Sequence, residues 1–184
     1  MNKDWGWEDV PNMPEWWEKR AHLERYEWAA KDVPLGRVAD CACGMGYGTK
    51  MLRDAGHDAA GFDASHEAVA LARKRYPGCE FHVMDAQHAE FPDYTTLVCF
   101  ETLEHLVNPY AFVEKLRVKK IFASAPIIPT VGVNPHHRHD FKLEGAGSFR
   151  DMIEQRFRIV DSFLQRSPDG TPVYQVVRGL AKTR

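Results

Sequence analysis

The 184-residue chain lacks any hydrophobic run of about 20 residues, the length needed to cross a bilayer, so the sequence predicts no membrane-spanning helix. Neither sign of charge is in excess, because 24 Lys and Arg stand against 26 Asp and Glu. A net charge of −2 disfavours a surface that binds nucleic acid. The first residues also lack the basic and apolar regions of a signal peptide. These absences favour a cytoplasmic protein that binds neither membranes nor nucleic acid.

Cysteine is scarce, and its spacing fits neither a disulfide framework nor a metal site. The closest two thiols, Cys41 and Cys43, form C-x-C rather than the C-x-x-C of zinc knuckles and redox sites. Cys79 and Cys99 also lie in or beside apolar segments. We therefore expect buried, unpaired thiols in a reducing compartment.

Tryptophan is confined to the beginning of the chain, where all five residues fall within the first 28 positions. We predict a Trp-rich helical segment over residues 1–34 and the main domain over residues 35–184. The helix is expected to start near Pro14 and to end near Lys31, before Pro34 and Gly36. Two interpretations stay open for the aromatic side chains: they cover one side of the core, or they form a lid over a site.

Beyond residue 35, short apolar segments alternate with helical patterns. Strands are predicted at 37–41, 58–63, 79–84, 95–100 and 119–125, and helices at 49–55, 65–76 and 109–116. The tail differs, with a helix at 147–155 and two strands, 157–164 and 172–180, joined by a Pro-Asp-Gly turn. The pattern predicts an α/β fold with a Rossmann-like, seven-stranded, mostly parallel sheet. Its reversed strand belongs to the C-terminal hairpin, and helices cover both faces.

A glycine-rich loop, C-A-C-G-M-G-Y-G over residues 41–48, follows the first predicted strand. Such a loop lets a ligand press against the backbone where a helix begins. Read from Gly44, the dinucleotide pattern G-x-G-x-x-G requires a glycine at Thr49, and none is present. The spacing therefore disfavours a pyrophosphate ligand, and with it a nicotinamide-dependent dehydrogenase, and favours a ligand without phosphates.

Three aspartates, Asp40, Asp63 and Asp85, stand at the carboxyl ends of the first three predicted strands. Open α/β sheets bind their ligands at that edge. A carboxylate at Asp63, 19 residues after Gly44, can accept both hydroxyls of a ribose. Asp85 can accept a hydrogen bond from an adenine amino group. The three residues together predict a nucleoside-binding edge.

Four segments in this order resemble class I S-adenosylmethionine-dependent methyltransferases of the type 11/12-like group, and the resemblance covers most of the chain from about Leu23 to Thr183. The segments are Val38–Gly48, Gly61–Ser65, Met84–Ala86 and Phe100–Leu106. The resemblance implies S-adenosylmethionine as cofactor and S-adenosylhomocysteine as product. One departure is Ala42, which stands where many relatives have the first glycine of the loop.

The resemblance also implies a set of cofactor-binding residues. Gly44 and Gly46 would lie against the methionine part, Asp63 would hold the ribose, and the backbone of Phe100 would face the cofactor. An arginine in the helix before the first strand pairs with the cofactor carboxylate in related enzymes, and Arg25 is the candidate here, since a guanidinium binds carboxylates bidentately. The full set is Arg25, Asp40, Gly44, Gly46, Asp63, Ala64, Asp85, Ala86 and Phe100.

The segment E-T-L-E-H over residues 101–105 is followed later by N-P-H-H-R-H-D-F over residues 134–141. This combination resembles ubiquinone-pathway O-methyltransferases and small-RNA terminal 2′-O-methyltransferases; the latter hold a divalent ion beside a ribose diol. The resemblance implies Mg²⁺ or Mn²⁺ as an optional second cofactor. Its predicted ligands are Glu101, Glu104, His105 and His139, with His137 as second choice for the last position.

Without a metal, an imidazole can take the proton from the acceptor. The predicted catalytic residues are His105, Glu104 and His137. We expect a methyltransferase that acts on a hydroxyl of a small molecule or sugar-like moiety. An RNA-terminal 2′-O-methyltransferase and a non-catalytic S-adenosylmethionine-binding module that regulates a partner are the alternatives.

Overall fold

The computed structural model describes residues 16–32, 36–129, 134 and 136–183. Trp5 and Trp7 of the predicted N-terminal cover lie outside these residues, as do the predicted helix-start signals at Asn12 and Pro14. No helix in the described part is long and apolar enough to cross a membrane. All four cysteines carry free thiols, and three of them are buried.

Helices and strands alternate along most of the chain. The helices are α1 Trp16–Ala30, α2 Tyr47–Asp54, α3 His66–Arg75, α4 Pro109–Lys115 and α5 Phe149–Glu154. The strands are β1 Arg37–Cys41, β2 Asp58–Asp63, β3 Glu80–Val83, β4 Thr96–Phe100, β5 Lys120–Pro126, β6 Phe157–Arg166 and β7 Pro172–Ala181. The predicted strands agree with these bounds to within two residues.

The seven strands form a single sheet in the order β3-β2-β1-β4-β5-β7-β6. The first five are parallel, and β7 runs antiparallel to both β5 and β6. The predicted fold, with its reversed hairpin strand, is therefore confirmed. The parallel register places the ends of β1, β2, β3 and β4 along one edge, where loops leave the sheet.

Local sequence signals explain where several helices begin. The Ser65 hydroxyl accepts a hydrogen bond from the Ala68 backbone N–H at 3.1 Å, and Asn108 caps α4 in the same way, with Pro109 as the first helical residue. Helix α2 begins two residues earlier than predicted, because Gly46 turns the chain with φ of +86°. These caps fix the loops that leave the carboxyl edge.

Helix α1 packs on the face of the sheet that also carries α2. The Trp28 ring meets Phe122 and Phe163 edge-on, at centroid distances of 5.3 and 5.1 Å. Tyr26 lies edge-on to Phe100 at 5.1 Å. Trp28 is therefore packed against the hydrophobic core, whereas Trp17 has a different position, described below.

Gly48 gives α1 and α2 room to meet, because a Cβ atom at that position would overlap the Tyr26 ring. We expect Gly48→Ala to lower the free energy of unfolding by about 1–3 kcal/mol, the usual cost of overpacking. Gly78→Ala is the matched control, since a Cβ there would meet no atom within 4 Å. Urea denaturation followed by circular dichroism measures both, and equal stability of the two variants would contradict this account.

Candidate active site

The glycine-rich loop leaves β1 through left-handed backbone. Ala42, Gly44 and Gly46 have φ of +60°, +54° and +86°. Gly46 has a second constraint, because a Cβ there would lie 2.6 Å from the Phe81 ring. Ala42 therefore adopts a left-handed conformation that glycine adopts without strain. Because Ala42 is exposed, the loop accommodates its methyl group at the position where many relatives have a glycine.

Asp63 ties this loop to the end of β2. Its Oδ2 accepts a hydrogen bond from the Gly44 backbone N–H at 2.8 Å, and its Oδ1 accepts one from Ser65 N–H at 2.9 Å. The side chain is half-buried, so it reaches both the loop and solvent. A carboxylate has about four acceptor positions, which leaves capacity for a ligand beside the loop.

Three further residues of the predicted cofactor-binding set follow the next strands: Ala64 comes after β2, and Asp85 and Ala86 come after β3. Asp85 is exposed and caps a short 3₁₀ turn, Ala86–His88, by accepting a hydrogen bond from Gln87 N–H at 2.8 Å. Ala64 is exposed and Ala86 is half-buried. Their positions after β2 and β3 place them on the same edge of the sheet as the glycine loop.

Asp40 does not occupy the ligand-facing position that the sequence predicts. Its side chain is fully buried, and its two oxygens accept hydrogen bonds from the hydroxyls of Tyr26 at 2.9 Å and Thr49 at 2.6 Å. Burial raises the pKa of Asp40 to about 7. The structure thus corrects the prediction: this carboxylate joins α1, β1 and α2 inside the protein.

Arg25 is also turned inward. Its side chain is fully buried, with Nη1 3.2 Å from Oε1 of Glu101 and Nε donating to Oε1 of Gln165 at 2.6 Å. The guanidinium lies over the Tyr174 ring, 4.3 Å from its centroid. Within the described residues Nη2 makes no hydrogen bond. In this structure the predicted partner of the cofactor carboxylate therefore binds a carboxylate of the protein itself.

Glu104, His105 and His137 come together after β4. One ligand atom from each lies within 4.8 Å of the others. The Glu104 carboxylate is fully buried, and neither oxygen makes a hydrogen bond to a described residue. Burial, with the nearby Glu101 carboxylate, raises the pKa of Glu104 well above its usual range. A buried carboxyl group that makes no hydrogen bond to a described residue thus lies beside two imidazoles.

The tautomer of His105 follows from its hydrogen bond. Nδ1 lies 2.9 Å from the carbonyl oxygen of His136, which can only accept, so Nδ1 carries the proton and Nε2 keeps its lone pair. Nε2 lies 3.9 Å from Oε1 of Glu104. The His137 ring meets the His105 ring edge-on at 4.7 Å, and burial lowers the pKa of His137. Both imidazoles are suited to accept a proton or a metal ion.

The predicted metal set differs from this cluster at two positions. His139 donates through Nε2 to the Leu106 carbonyl at 2.8 Å, and Glu101 accepts from the Ser124 hydroxyl at 2.7 Å while it faces Arg25. The backbone N–H groups of Arg138 and His139 both bond to the Glu104 carbonyl. This pairing fixes the histidine segment so that His137, the second choice, joins the cluster in place of His139.

A cavity of about 690 Å³ opens beside the cluster. Its walls come from α1, the segment after β4, the end of β5, residues 134 and 137, and the hairpin between β6 and β7. The lining residues are Trp17, Glu18, His22, Glu101, Glu104, His105, Pro126, Ile128, Asn134, His137, Ser167, Asp169, Thr171, Val173 and Tyr174. The cavity is large enough for a small molecule.

Sequence reasoning missed the part of this wall that comes from α1 and the hairpin. His22 lies within 3.0 Å of the Tyr47 hydroxyl through Nδ1, and burial lowers its pKa. Trp17 lies 6.2 Å from Tyr174, ring to ring, and lines the cavity. No sequence signal links these residues, because the hairpin begins 127 positions after the end of α1.

Comparisons with known proteins agree with this geometry. A family model described as a methyltransferase domain matches residues 38–119. A Mycolicibacterium smegmatis protein named a probable S-adenosylmethionine-dependent methyltransferase is 28% identical over 110 residues, which cover 58% of this chain and 42% of that protein. The chain therefore matches less than half the length of this curated relative.

Two solved structures share the fold over nearly the whole chain. The N-methyltransferase NodS of Bradyrhizobium japonicum WM9, in complex with S-adenosylhomocysteine, has a TM-score of 0.71 and 12% identity, with 96% of each chain covered. Magnesium protoporphyrin IX methyltransferase of Synechocystis PCC 6803, with bound S-adenosylhomocysteine, has a TM-score of 0.70 and 16% identity. That likeness covers 94% of this chain and 90% of the other.

The buried Asp40 carboxyl gives the fold a measurable pH dependence. Its pKa of about 7 in the folded protein exceeds the value of about 3.9 in an unfolded chain, so between these values only the folded state holds the proton. Its contribution to stability is full below about pH 4 and falls as pH rises to 7. We expect the stability of the native protein relative to Asp40→Asn to fall over this range by at most about 4 kcal/mol. Urea titrations at several pH values measure it, and a difference that rises with pH would contradict the assignment.

Proposed function

We propose that this chain is a class I S-adenosylmethionine-dependent methyltransferase that transfers a methyl group to a hydroxyl of a small-molecule or sugar-like acceptor. One observation carries the choice of acceptor group: the unsatisfied Glu104 carboxyl and the His105 and His137 imidazoles line a cavity at the carboxyl edge of the sheet. A hydroxyl needs such groups, since it is a poor nucleophile at neutral pH.

The cofactor would bind along the ends of β1 to β4. Gly44 offers open backbone, since a Cβ there would meet no atom within 4 Å, while the buried Gly46 would shape the loop behind it. Asp63 would offer its remaining acceptor capacity to the ribose, and Ala64, Asp85 and Ala86 would surround the adenine. The Phe100 backbone would face the middle of the cofactor. Arg25 would act on the cofactor carboxylate only indirectly, because its guanidinium is fully buried and committed to Glu101 and Gln165.

S-adenosylmethionine supplies a methyl group that its sulfonium already activates, so the protein's task is to align the acceptor oxygen with that carbon and to remove a proton. His105 has the lone pair for this on Nε2, and its hydrogen bond to the His136 carbonyl holds the ring in place. With the cofactor bound, its methyl group would go to the acceptor oxygen, and Nε2 of His105 would take the proton that this hydroxyl loses. Oε1 of Glu104 lies 3.9 Å from Nε2, beside the position that this proton would take.

The same three residues fit a divalent cation. Their donor set is one carboxylate oxygen and two imidazole nitrogens, and the buried Glu104 carboxyl makes no hydrogen bond to any residue that the structure describes. A bound Mg²⁺ or Mn²⁺ would lower the pKa of the acceptor hydroxyl and orient it. We propose Glu104, His105 and His137 as its ligands, because one ligand atom from each lies within 4.8 Å of the others, whereas Glu101 and His139 are not part of this cluster.

Cofactor binding is the first test. We expect S-adenosylhomocysteine to bind the native protein in a calorimetric titration, and Asp63→Ala to weaken binding about tenfold or more, the usual effect of losing a hydrogen bond to a charged group. Asp93→Ala is the control, since this exposed residue precedes β4 away from the glycine loop. Absence of binding by the native protein would contradict the proposed function, and unchanged binding by Asp63→Ala would contradict the ribose assignment.

A metal-binding experiment tests whether His137 or His139 is a ligand. We expect Mn²⁺ titrations followed by electron paramagnetic resonance to show binding that is lost in Glu104→Gln and His137→Ala and kept in His139→Ala, because only His137 contributes a ligand atom to the cluster. The opposite result for the histidines would restore the ligand set predicted from the sequence. If the native protein binds no Mn²⁺, His105 acts as base without a metal.

A further inference from the structure

Five basic residues come together at the edge of the sheet opposite the glycine loop. Arg117 and Lys119 precede β5, Arg156 and Arg158 stand on either side of the first residue of β6, and Lys182 follows β7. Strands β5 and β6 begin at this edge, and the antiparallel β7 ends there. We call these five residues the basic edge.

Hydrogen bonds hold the three segments of the basic edge together. Nε of Arg156 donates to the Leu116 carbonyl at 3.2 Å, and Nη1 of the same side chain donates to the Lys182 carbonyl at 3.3 Å. The Lys182 backbone N–H donates to the Arg156 carbonyl at 3.1 Å, and the Ala181 N–H donates to the Lys119 carbonyl at 2.8 Å. The backbone that carries these cations is therefore fixed, although it comes from distant parts of the sequence.

Other cations at this edge of the sheet are neutralised by carboxylates. Arg37, at the start of β1, lies 3.3 Å from Asp58 and 2.9 Å from Glu80. Lys120, at the start of β5, lies 3.1 Å from Asp32. By contrast, none of the five residues of the basic edge forms an ion pair with a carboxylate in the described part of the chain.

Acidic residues close in sequence do not cancel the charge of the basic edge. Glu154 directs its carboxylate to Arg150 at 3.0 Å, and the Lys182 ammonium group donates to the Glu154 backbone carbonyl instead. Glu114 on α4 is exposed and pairs with none of the five cations. The edge therefore stays positive in a chain whose net charge is −2, and the rest of the molecule is correspondingly more acidic.

Three of the five side chains are available to a partner. Arg117, Lys119 and Arg158 are exposed, and their side chains make no hydrogen bond to a residue that the structure describes. A guanidinium presents a planar set of donors that fits a carboxylate bidentately, and an ammonium group adds a point charge. These side chains can thus bind anionic groups without breaking a contact within the described fold.

The surroundings of the basic edge define the kind of anion that fits it. The large apolar side chains exposed by the described residues are Leu71 on α3, Val83 on β3 and Val107 after β4, so none belongs to this edge. Membrane anchors and single-stranded nucleic-acid sites use apolar or aromatic groups that insert into lipid or stack on bases. A long polyanion would also meet the more acidic remainder of the chain, whereas a short anionic segment would not.

We propose that the basic edge is a docking surface for a short acidic segment of a partner protein. Carboxylates along such a segment would pair with Arg117, Lys119 and Arg158, and the charges of Arg156 and Lys182 would add to the attraction. The glycine loop and the 690 Å³ cavity lie toward the other edge of the sheet, so a bound partner leaves both open. The inference goes beyond the proposed function and does not depend on it.

Fluorescence anisotropy with labelled peptides tests the charge preference on the native protein. The probes are octapeptides of glutamate and of glutamine, which have the same length and closely similar side chains and differ in charge. We expect the glutamate peptide to bind at least about tenfold more tightly at low ionic strength. Because the proposed ion pairs are exposed to solvent, physiological salt should weaken its binding several-fold.

A triple variant locates the binding surface. Arg117→Gln combined with Lys119→Gln and Arg158→Gln removes three charges and no side-chain hydrogen bond to a described residue. It should weaken binding of the glutamate peptide about tenfold or more. S-adenosylhomocysteine binding should be unchanged, since these residues lie away from the glycine loop.

A second triple variant is the matched control. Lys19→Gln combined with Lys74→Gln and Lys142→Gln removes the same charge from α1, α3 and the segment before α5. These three lysines also form no ion pair with a described carboxylate, so they differ from the first set in position alone. This variant should bind the glutamate peptide within about twofold of the native protein.

Cross-linking maps the surface without any substitution. A water-soluble carbodiimide joins carboxylates to the lysine amines that they contact, and mass spectrometry identifies those lysines. We expect the glutamate peptide to couple to Lys119 and Lys182. Coupling mainly to Lys74 or Lys142 would overturn the inference, and this result stands even where the first triple variant fails to fold.

Oligouridylate RNA and vesicles of phosphatidylcholine and phosphatidylserine serve as competing anions. Displacement of the glutamate peptide by either at a lower concentration of anionic groups would overturn the assignment to a protein segment. Equal binding of the two peptides, no binding of the glutamate peptide, or an equal loss in the two triple variants would overturn the docking surface itself. S-adenosylhomocysteine binding is measured separately, so its absence would contradict the proposed function alone.

Discussion

The side chain of Arg25 is entirely buried, and a guanidinium does not lose its proton to escape the cost of burial. The protein must therefore supply a counter-charge and hydrogen-bond acceptors wherever this side chain lies. Glu101 supplies the charge and Gln165 an acceptor, while the amide nitrogen of Gln165 donates to the Ala21 carbonyl on α1. One buried charge thus joins α1, the end of β4 and β6, which are the elements around the cavity.

Tyr26, the residue that follows Arg25 on α1, contacts a second buried ionisable group, the carboxyl group of Asp40. Tyr26 donates to Asp40, which also accepts from Thr49 on α2, and the Tyr26 ring fills the space above Gly48. Successive residues of α1 therefore bind a carboxylate from the end of β4 and one from β1. As a result, the helix that lines the 690 Å³ cavity also contacts the helix that the glycine loop begins. The edge with the glycine loop and this cavity are parts of one packed unit.

The sequence alone predicts what local patterns determine. Alternating apolar segments give the strands, the Pro-Asp-Gly turn gives the reversed hairpin, and a glycine loop followed by Asp63 gives the edge where a nucleoside would bind. The sequence does not indicate the partners of Arg25, because Gln165 lies 140 residues away and only tertiary packing brings the two side chains together. The choice of His137 over His139 depends on backbone hydrogen bonds to Glu104 in a segment without regular structure, where no periodicity indicates which side chain faces inward.

The two glutamates of the E-x-x-E-H segment are chemically alike in sequence and differ in the folded protein. Glu101 adopts left-handed backbone, with φ of +49°, and its carboxylate is committed to Arg25 and Ser124. Glu104, one 3₁₀ turn later, is buried without a hydrogen bond to the described part of the chain, and burial raises its pKa. Environments that separate two carboxyl groups in this way are how active sites divide roles between them. Glu101 holds the buried arginine, and this leaves Glu104 as the carboxyl group of the segment whose bonding capacity is still available to a proton, a metal ion or an acceptor.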